Sequence, residues 1–510
     1  MLQRVLDGIE RVGNKIPHPA VLFVILIGFL AVLSHLFYWS GATVTYEAID
    51  PDTDQLETMT TSAQSLLTGS GIRFMYENAV GNFMDFTALG VVIVAMLGVG
   101  VAESSGLIKA LIRKLVKVAP PKALTYIIVF VGILSSVAAD AGYLVLIPLA
   151  ASAYVAVGRH PLAGLAASFA GVAAVFGVNL LVKPADGILT EITNDAIHLV
   201  DPSISISITA NWWFGAASVV MLAVLCALIT DKIIEPRLGT WRPEDGTAPD
   251  PNAEDAGERE PAPEANARGL KYALWATLAT LGVFALLALP PGAPLRNPET
   301  HALIGDSPFM SGLIVLITLV FFAAGVGYGV GARTFKSTTD VTSAMEKAIA
   351  GLAGLIFLLF FISQFVAYFS YSNLATLVAV KLGDVLESAG VGALPLLIGL
   401  VVVTLILDLF LSGIIPKWAI FAPVFVPLFL RLGVKPEAGL AAYRVGDSPF
   451  NVLSPLMPYF ALIVTFAKRY QRSAGVGTLV ALMMPYVVFV TLAWIVLLVV
   501  WELTGLPWGF

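Results

Sequence analysis

The chain has 510 residues, of which 58% are hydrophobic and only 13% are charged, whereas about 25% of a typical soluble domain is charged. The formal net charge is −6, and the basic residues lie at the ends of apolar runs without forming a patch, so we expect no nucleic-acid partner. The single cysteine, Cys226, excludes an intrachain disulfide. These features exclude an ordinary soluble protein and predict that the lipid bilayer is its main environment.

Apolar runs long enough to cross a bilayer, about 17 to 25 residues each, recur along the chain. They lie at about 20–39, 86–102, 123–138, 212–230, 272–290, 309–331, 350–371, 395–415 and 478–502. Shorter or interrupted apolar stretches lie between them, at about 143–157, 162–182, 419–430 and 450–467. We expect the first run to be a retained span and not a signal peptide, because no small-residue cleavage site follows it. The pattern predicts an all-α polytopic membrane protein.

The charges of the loops predict the orientation of the chain. The loops at 109–122, 333–347 and 468–472 are rich in Lys and Arg, whereas the loops at 41–82 and 291–308 hold one basic residue each. Short basic loops stay on the cytoplasmic side of a membrane. We therefore predict a multi-pass protein of the cell inner membrane with a cytoplasmic N-terminus.

One linker interrupts the apolar pattern. Residues 240–268 are dense in Pro, Glu and Asp and lack the apolar surface needed to fold. We predict a first transmembrane half at 1–230, a cytoplasmic linker at 231–270 and a second transmembrane half at 271–510.

The two halves contain a repeat. A shift of 275 positions aligns Pro148 to Ala167 with Pro423 to Ala442, and 8 of the 20 positions are identical, with Pro and Gly in register. The first copy follows the basic loop at 109–122, whereas the second follows a span that starts at the basic loop at 333–347, so the copies enter from opposite faces. Inverted repeats of this kind are typical of secondary carriers, whose binding sites lie where broken helices meet near the membrane midplane.

Several ionisable side chains fall within these interrupted stretches, where each costs at least about 2.5 to 3.5 kcal/mol. They are Asp140 and Asp186 in the first copy and Asp408, Lys417, Arg444 and Asp447 in the second. Arg444 and Asp447 stand three apart, so on a helix they share a face and are predicted to pair. The alternative interpretation for Lys183, Asp186 and Lys417 is that they cap segment ends or reach toward the membrane surface.

The residue types suggest roles. Arg444 offers a bidentate fork to a carboxylate or sulfonyl-type anion. The Asp carboxylates, Asn451 and unwound backbone carbonyls supply the oxygens that a small hard cation needs. Trp418 suits stacking on an aromatic substrate, although a Trp in such a segment is as often simple packing.

Motifs of other classes are absent from the sequence. The five histidines form no H-E-x-x-H pair, and no G-x-x-x-x-G-K-[ST] phosphate-binding loop occurs. We therefore expect no enzyme and no cofactor, and we expect an ion gradient to supply the energy.

Motifs in both halves resemble those of the p-aminobenzoyl-glutamate transporter (AbgT) family, in order and over nearly the whole chain. In the first half they are Asp140-Ala141-Gly142-Tyr143, Gly158-Arg159-His160-Pro161 and Asn179-Leu180-Leu181. In the second half they are Gln364-Phe365-Val366-Ala367-Tyr368-Phe369, Lys417-Trp418-Ala419, Tyr443-Arg444-Val445-Gly446-Asp447-Ser448 and Ser454-Pro455-Leu456-Met457-Pro458.

The resemblance implies about nine transmembrane helices plus two re-entrant helical hairpins, a homodimer, and transport coupled to a cation. It associates the chain with uptake of p-aminobenzoyl-glutamate or export of sulfonamides. It places functional residues at Asp186, Trp418, Pro436, Arg444, Asp447 and Pro455. The chain departs from the family pattern at Asp408, where an Asn is usual, and at Pro416.

We therefore predict a secondary active transporter of a small aromatic or carboxylate-bearing solute, such as p-aminobenzoyl-glutamate or a sulfonamide. The predicted substrate-binding residues are Asp186, Trp418, Pro436, Arg444, Asp447, Asn451 and Pro455. The coupling ion is sodium or a proton, with Asp140, Asp186, Asp408, Asp447 and Asn451 as candidates, of which Asp408, Asp447 and Asn451 are candidate sodium ligands. A dicarboxylate or short-chain organic acid transporter is the alternative, and an ion channel is a more distant one.

Overall fold

The computed structural model describes residues 19–49, 56–137, 142–241, 262–305, 307–388, 392–408, 411, 413–454, 457 and 459–510. Most of these residues are helical. In the first half the helices are α1 (Pro19–Trp39), α2 (Gly69–Glu77), α3 (Ala79–Met84), α4 (Thr87–Ser104), α5 (Leu107–Lys117), α6 (Leu124–Ser135), α7 (Ile147–Ala156), α8 (Pro161–Phe169), α9 (Pro184–Ile197), α10 (Trp212–Ile229) and α11 (Glu235–Leu238). Five-residue π-helical turns precede α7, follow α8 and join α10 to α11, at Gly142–Leu146, Ala170–Ala174 and Thr230–Ile234.

The second half continues with a similar set of helices. They are α12 (Pro263–Ala288), α13 (Pro308–Ser311), α14 (Leu313–Ala332), α15 (Thr338–Gly351), α16 (Ala353–Tyr371), α17 (Leu374–Ser388), α18 (Ala393–Asp408), α19 (Ile414–Arg431), α20 (Pro436–Asp447), α21 (Phe460–Tyr470) and α22 (Val476–Thr504). A short 3₁₀ turn, Pro449–Val452, follows α20.

Eight of the described helices are long and apolar enough to cross a membrane. They are Pro19–Trp39, Thr87–Ser104, Trp212–Leu238, Pro263–Ala288, Leu313–Ala332, Ala353–Tyr371, Ile414–Arg431 and Val476–Thr504. Their mean hydropathy lies between 1.5 and 2.7, and a helix pairs most of its backbone polar groups internally, which lipid requires. The predicted all-α polytopic membrane fold is confirmed.

Some predicted boundaries differ from the observed ones. The run at 123–138 forms a helix of only 12 residues, α6, because the chain turns after Ser136. The predicted linker at 231–270 has helical ends, since the helix that begins at Trp212 continues to Leu238 and α12 begins at Pro263. Its centre lies outside the described residues, so the linker itself stays a prediction.

A β-hairpin within the loop at 41–82 was not predicted. Strands β1 (Thr43–Ile49) and β2 (Leu56–Ser62) pair antiparallel, with Thr43 opposite Ser62 and Ile49 opposite Leu56. Both strands are rich in Thr, and β1 alternates polar and apolar residues at its start, which favours a strand. Two strands of this length add to the loop without changing the helical fold class.

The repeat extends beyond the twenty aligned residues. Adding 275 to the bounds of α6 gives 399–410, which overlaps α18, and the same shift carries α7, α8, α9 and α10 onto α19, α20, α21 and α22. Helices α7 and α8 form the first hairpin, and α19 and α20 form the second. The repeat predicted from the sequence is therefore present in the helix order.

The tips of the two hairpins have the same backbone. Gly158 and Gly433 both adopt a left-handed conformation, with φ of +73° and +69°, which a residue with a Cβ disfavours. Pro161 and Pro436 each occupy the first turn of the returning helix, where the missing proline N–H costs no hydrogen bond. Each glycine reverses the chain, and each proline starts the second arm.

The returning arms also approach the preceding helix in the same way. A Cβ at Gly171 would lie 2.6 Å from the carbonyl oxygen of Val129 in α6, and one at Gly446 would lie 2.7 Å from that of Val401 in α18. Gly171 and Gly446 are 275 residues apart, so the close approach belongs to the repeat. This packing holds the ends of both hairpins against their own half.

Candidate functional site

The two hairpins meet where their returning arms end. After the first hairpin, residues 175–183 leave the helical conformation before α9 begins. The backbone N–H of Gly177 donates to the Ser448 hydroxyl at 2.7 Å, and Arg444 Nη1 donates to the Gly177 carbonyl at 2.9 Å. In a membrane protein, non-helical backbone within the hydrocarbon region is tolerated only where protein or a cavity surrounds it, and its free N–H and C=O groups are available to a ligand.

Arg444 forms an ion pair with Asp186. Its Nη1 lies 2.6 Å from Asp186 Oδ1, and both residues are buried, at 5% and 9% exposure. The other Asp186 oxygen accepts the backbone N–H of Lys183 at 2.9 Å, which caps the start of α9. Asp186 therefore both caps a helix and pairs across the two halves. The predicted pair of Arg444 with Asp447 is wrong, because the side chain of Arg444 points to the first half.

Lys183 lies beside this pair. Its ammonium donates to the carbonyl of Phe176 and sits 4.3 Å from the centre of the Phe176 ring. The residue is 1% exposed, so the alternative that it reaches toward the membrane surface is wrong. Lys183, Arg444 and Asp186 together carry a formal charge of +1, and we call these three residues the cationic group.

A small cavity of about 30 Å³ adjoins the cationic group. It is lined by Val178, Asn179, Leu181, Val182, Asp186, Ile208, Asn211, Trp212, Gly215 and Arg444. Two buried polar atoms of its lining residues have no hydrogen-bond partner among the described residues, Arg444 Nε and Asn211 Oδ1. An orphaned donor and an orphaned acceptor beside a cavity are groups that a polar ligand can satisfy.

A second charged group lies at the start of the second hairpin. The Lys417 ammonium contacts Asp408 Oδ1 and lies 2.7 Å from Asp447 Oδ1. All three residues are 1% exposed. The Tyr443 hydroxyl also lies 3.2 Å from Asp447 Oδ1 and contacts the carbonyl of Ile414. Asp408, Lys417 and Asp447 carry a formal charge of −1, and we call them the anionic group.

Trp418 joins this region to the first half. Its indole Nε1 donates to the Thr193 hydroxyl of α9 at 2.9 Å, and its ring packs on Tyr443 with centroids 4.6 Å apart. The side chain is completely buried. In this conformation Trp418 is part of the packing around the anionic group, and its ring face is covered by Tyr443.

The comparisons with known proteins agree over the whole chain. The family model described as "AbgT putative transporter family" matches residues 4–510. The chain belongs to the AbgT transporter family.

Individual relatives support this assignment. The chain is 35% identical over 506 residues to the p-aminobenzoyl-glutamate transport protein of Escherichia coli K12, covering 99% of this chain and 96% of that protein. Its fold is similar to the crystal structure of the YdaH transporter of Alcanivorax borkumensis, with a TM-score of 0.88, 42% identity and coverage of 97% and 100%. It is also similar to MtrF of Neisseria gonorrhoeae, described as illuminating a class of antimetabolite efflux pumps, with a TM-score of 0.90, 37% identity and coverage of 98% and 97%.

The remaining predicted site residues of this AbgT-family chain are placed apart from the charged contacts. Pro436 starts α20, and the carbonyl of its neighbour Glu437 accepts a hydrogen bond from Asn211 Nδ2 at 2.8 Å. Asn451 is half-buried in the 3₁₀ turn, and no hydrogen bond joins its side chain to either charged group within the described residues. Asp140 and Pro455 lie outside the described residues. Their roles stay predictions.

Sequence reasoning missed several residues that complete the site. Thr193 lies on α9 and Asn211 directly precedes α10, two first-half positions that were assigned no role, and Ser448 was quoted only as part of a motif. Asn211 could have been found, because it is a polar residue directly before the apolar start of α10. Thr193 gave no signal, since a Thr within an apolar helix is common and its partner Trp418 is 225 residues away.

Proposed function

We propose that this protein is a secondary active transporter that moves a small aromatic or carboxylate-bearing solute, p-aminobenzoyl-glutamate or a sulfonamide, by coupling to a sodium or proton gradient. Membership of the AbgT family supports the transporter class. The relative named as a p-aminobenzoyl-glutamate transport protein supports the solute class. We further propose that the chain has no enzymatic activity and binds no cofactor other than the coupling ion.

The observation that carries the solute proposal is the cationic group beside the cavity. Arg444 Nη1 donates to Asp186 and Gly177, and Arg444 Nε has no hydrogen-bond partner within the part of the chain that the structure describes. A guanidinium edge recognises a carboxylate or a sulfonyl group through two parallel N–H donors. The excess positive charge of this group favours an anionic solute over a neutral one.

The size of the cavity indicates how transport must proceed. At about 30 Å³ the cavity has room for a water molecule, whereas sites for drug-sized ligands span about 300 to 1,000 Å³. A solute therefore enters only after the hairpin ends separate. The contacts that must change are those of Gly177 with Ser448 and Arg444, since they join the two repeats. This fits alternating access between inverted repeats.

The anionic group is our candidate for coupling. Its formal charge of −1 opposes the +1 of the cationic group, and Arg444 and Asp447 lie one turn apart on α20. A cation bound at the anionic group would neutralise its charge of −1, and an anionic solute bound at the cationic group would neutralise its charge of +1. Asp408 and Asp447, the acidic members of the anionic group, are the first candidates for this role, and Asp140, Asp186 and Asn451 stay further candidates.

We also propose that the protein is a homodimer in the inner membrane with its N-terminus in the cytoplasm. The basic loops support this orientation. Helix α12 is apolar, yet only 6% of its most apolar window is buried inside the chain, so it needs lipid or a second copy around it. Native mass spectrometry would detect the dimer, and labelling of single cysteines introduced in the loops would report the orientation.

The test of the transport proposal is a solute panel in proteoliposomes, with sodium and proton gradients imposed separately. We expect uptake or exchange of radiolabelled p-aminobenzoyl-glutamate, inhibited by a sulfonamide and not by succinate. Inhibition by succinate at equal concentration would favour the dicarboxylate alternative instead. Liposomes with the Arg444→Ala variant are the control, and equal flux with that variant would contradict the assigned site. Single-channel currents in a planar bilayer would contradict a carrier.

A further inference from the structure

The anionic group is where the sequence predicted a sodium site, and a lysine occupies its centre. The Lys417 ammonium contacts Asp408 and lies 2.7 Å from Asp447 Oδ1, so it bridges the two carboxylates. Lys417 is 1% exposed, so its charge has no access to bulk water in this conformation. The two carboxylates that a cation would use already hold a cation that is part of the chain.

The residues present do not fit sodium in addition to this lysine. A sodium ion needs several oxygen ligands converging on one point. Among the described residues, the Tyr443 hydroxyl is the second polar group at the Asp447 carboxylate, beside Lys417, and it also contacts the carbonyl of Ile414. Asn451, the third predicted ligand, makes no side-chain hydrogen bond to Asp408 or Asp447. In the described part of the chain, no group of three or more His, Cys, Asp or Glu residues is suited to hold a metal ion.

The arrangement is costly if it serves only stability. Buried ion pairs gain little over apolar packing of the same volume. Here a third charge is added, and Asp408 Oδ2 is buried without a hydrogen-bond partner among the residues that the structure describes. A structural pair would need only one carboxylate, so the second carboxylate and the orphaned oxygen indicate a site built for an exchangeable charge.

The position of Lys417 connects it to the moving parts. It lies in the first turn of α19, after Gly413, whose φ of +94° marks a sharp change of direction. Its neighbour Trp418 bonds to Thr193 in the first half, and Asp447 ends the returning arm of the same hairpin. A change in the charge between these arms would alter how the second hairpin closes on itself.

We propose that the Lys417 ammonium takes the place of a coupling sodium ion between Asp408 and Asp447, so that this protein works without sodium and acquires a sodium site when the lysine is removed. The inference rests on the proposed transport function, and it is tested by one experiment on sodium binding, which needs no transport, and by one on transport. It assigns Lys417 as the residue that determines ion specificity.

The sodium-binding experiment measures thermal unfolding of the purified full-length protein in detergent, with NaCl replaced by KCl at constant ionic strength. For the natural chain we expect the same Tm in both salts. For Lys417→Ala we expect a sodium-specific rise in Tm of about 2 °C or more at saturating sodium, because a ligand that binds only the folded state stabilises it. Lys183→Ala, which removes the other buried lysine, is the matched control and is expected to show no sodium response.

Lys417→Ala leaves two unpaired carboxylates, which can prevent folding, so a second variant is included. The double substitution Asp408→Asn with Lys417→Ala keeps the formal charge of −1 at the site and leaves an amide, a carboxylate and the space of the ammonium. We expect a sodium-specific rise in Tm for this variant as well. A sodium-specific rise in the natural chain, or no rise in any folded variant that lacks Lys417, would overturn the proposal.

The transport experiment measures p-aminobenzoyl-glutamate flux in proteoliposomes. We expect the flux of the natural chain to change less than 2-fold when sodium is replaced by potassium on both sides under a fixed proton gradient. A sodium dependence of 10-fold or more would overturn the proposal. If no flux of this solute occurs at all, the proposed function fails, and the Tm comparison still decides the role of Lys417.

Discussion

In the first hairpin, residues 147–174, Arg159 at the tip is the only residue with a full charge at neutral pH, whereas the second hairpin, residues 414–447, carries Lys417, Arg444 and Asp447 in its interior. The interior of the first hairpin is instead filled by Ala, Gly, Leu and Phe. The same backbone, repeated 275 residues later, is thus an apolar scaffold in the first hairpin, whereas the second hairpin contributes Arg444 to the cationic group and Lys417 and Asp447 to the anionic group.

At the tips the distribution of charge is reversed, since the first tip is charged at a position where the second tip is apolar. At the first tip, Arg159 binds Asp231 and Glu235, which follow α10. At the equivalent position of the second tip, Val434 is buried and apolar. The first hairpin is anchored by charges at its tip, and the second carries its buried charges at its open end. We infer that the repeat fixes the geometry, while divergence of the side chains separates anchoring from ion and solute binding.

The sharpest test of this division is substitution of Arg444. We expect Arg444→Ala to reduce p-aminobenzoyl-glutamate flux at least about 30-fold, since truncating one partner of a buried charge pair costs about 2 to 5 kcal/mol. Arg444→Lys keeps the charge but loses the planar fork, so its flux should recover only in part. Initial rates in proteoliposomes, normalised to the reconstituted protein, provide the measurement.

The control for Arg444 is the arginine at the tip of the first hairpin, Arg159. Arg159→Lys changes an arginine to a lysine at the tip, outside both charged groups, and its flux should stay within about 2-fold of the natural chain. If Arg159→Lys and Arg444→Lys lose flux equally, the division of roles between the hairpins is incorrect.

A second test compares two buried tryptophans with the same kind of hydrogen bond. Trp418 donates to Thr193 and Trp494 donates to Ser218, each at 2.9 Å, and both are completely buried. Replacement by Phe removes one hydrogen bond, worth about 1 kcal/mol, in either case. We expect Trp418→Phe to reduce flux about 10-fold, because it frees the second hairpin from α9, whereas Trp494→Phe lowers only Tm. Similar flux for both variants at matched Tm would remove the special role of Trp418.

The sequence predicted the fold well because the dominant physical signals are local. Apolar length gives the spans, and the register of Pro and Gly gives the repeat, as Gly158 and Gly433 illustrate with their matching left-handed backbone. The cost of burying a charge identified Asp186, Asp408, Lys417, Arg444 and Asp447 without any structure. All five lie in the two charged groups of the candidate site, and their roles stay predictions.

The pairing of those charges could not be read from spacing. Arg444 and Asp447 share a helix, which predicted a pair, but the structure pairs Arg444 with Asp186, 258 residues earlier, and Asp447 with Lys417. Long-range partners depend on how the halves pack, and a single sequence holds no signal for that packing. Thr193 escaped detection for the same reason.

A third test asks whether the halves are equivalent where the backbone alone matters. A methyl group at Gly171 or at Gly446 would meet a backbone carbonyl of the preceding helix at 2.6 or 2.7 Å. We expect Gly171→Ala and Gly446→Ala each to destabilise the fold by about 1 to 3 kcal/mol, as overpacking does. Gly399→Ala is the control, since nothing lies within 4 Å of its Cβ position, and it should leave Tm unchanged or raised. Unequal losses at the two glycines would show that the repeat is not preserved in packing.

The smallest expected effect concerns anchoring outside the charged groups. Arg159 contacts two acidic residues and also the Thr125 hydroxyl at 2.9 Å, and the Arg159 side chain is 21% exposed. The ion pair at the base of the second tip, Arg431 with Asp384, is single and has side chains that are 29% and 57% exposed.

Exposed single pairs contribute about 0.2 to 1 kcal/mol, whereas a partly buried network contributes more. We therefore expect Arg159→Met to lower Tm by about 2 °C and Arg431→Met to lower it by less than about 1 °C. Both variants should retain flux, because neither residue touches the cationic or the anionic group. A larger loss for Arg431→Met would mean that the second tip, and not the first, is the anchored one. Anchoring would then be assigned to the second hairpin and not to the first, and the evidence for binding at the second hairpin would be the Arg444 variants alone.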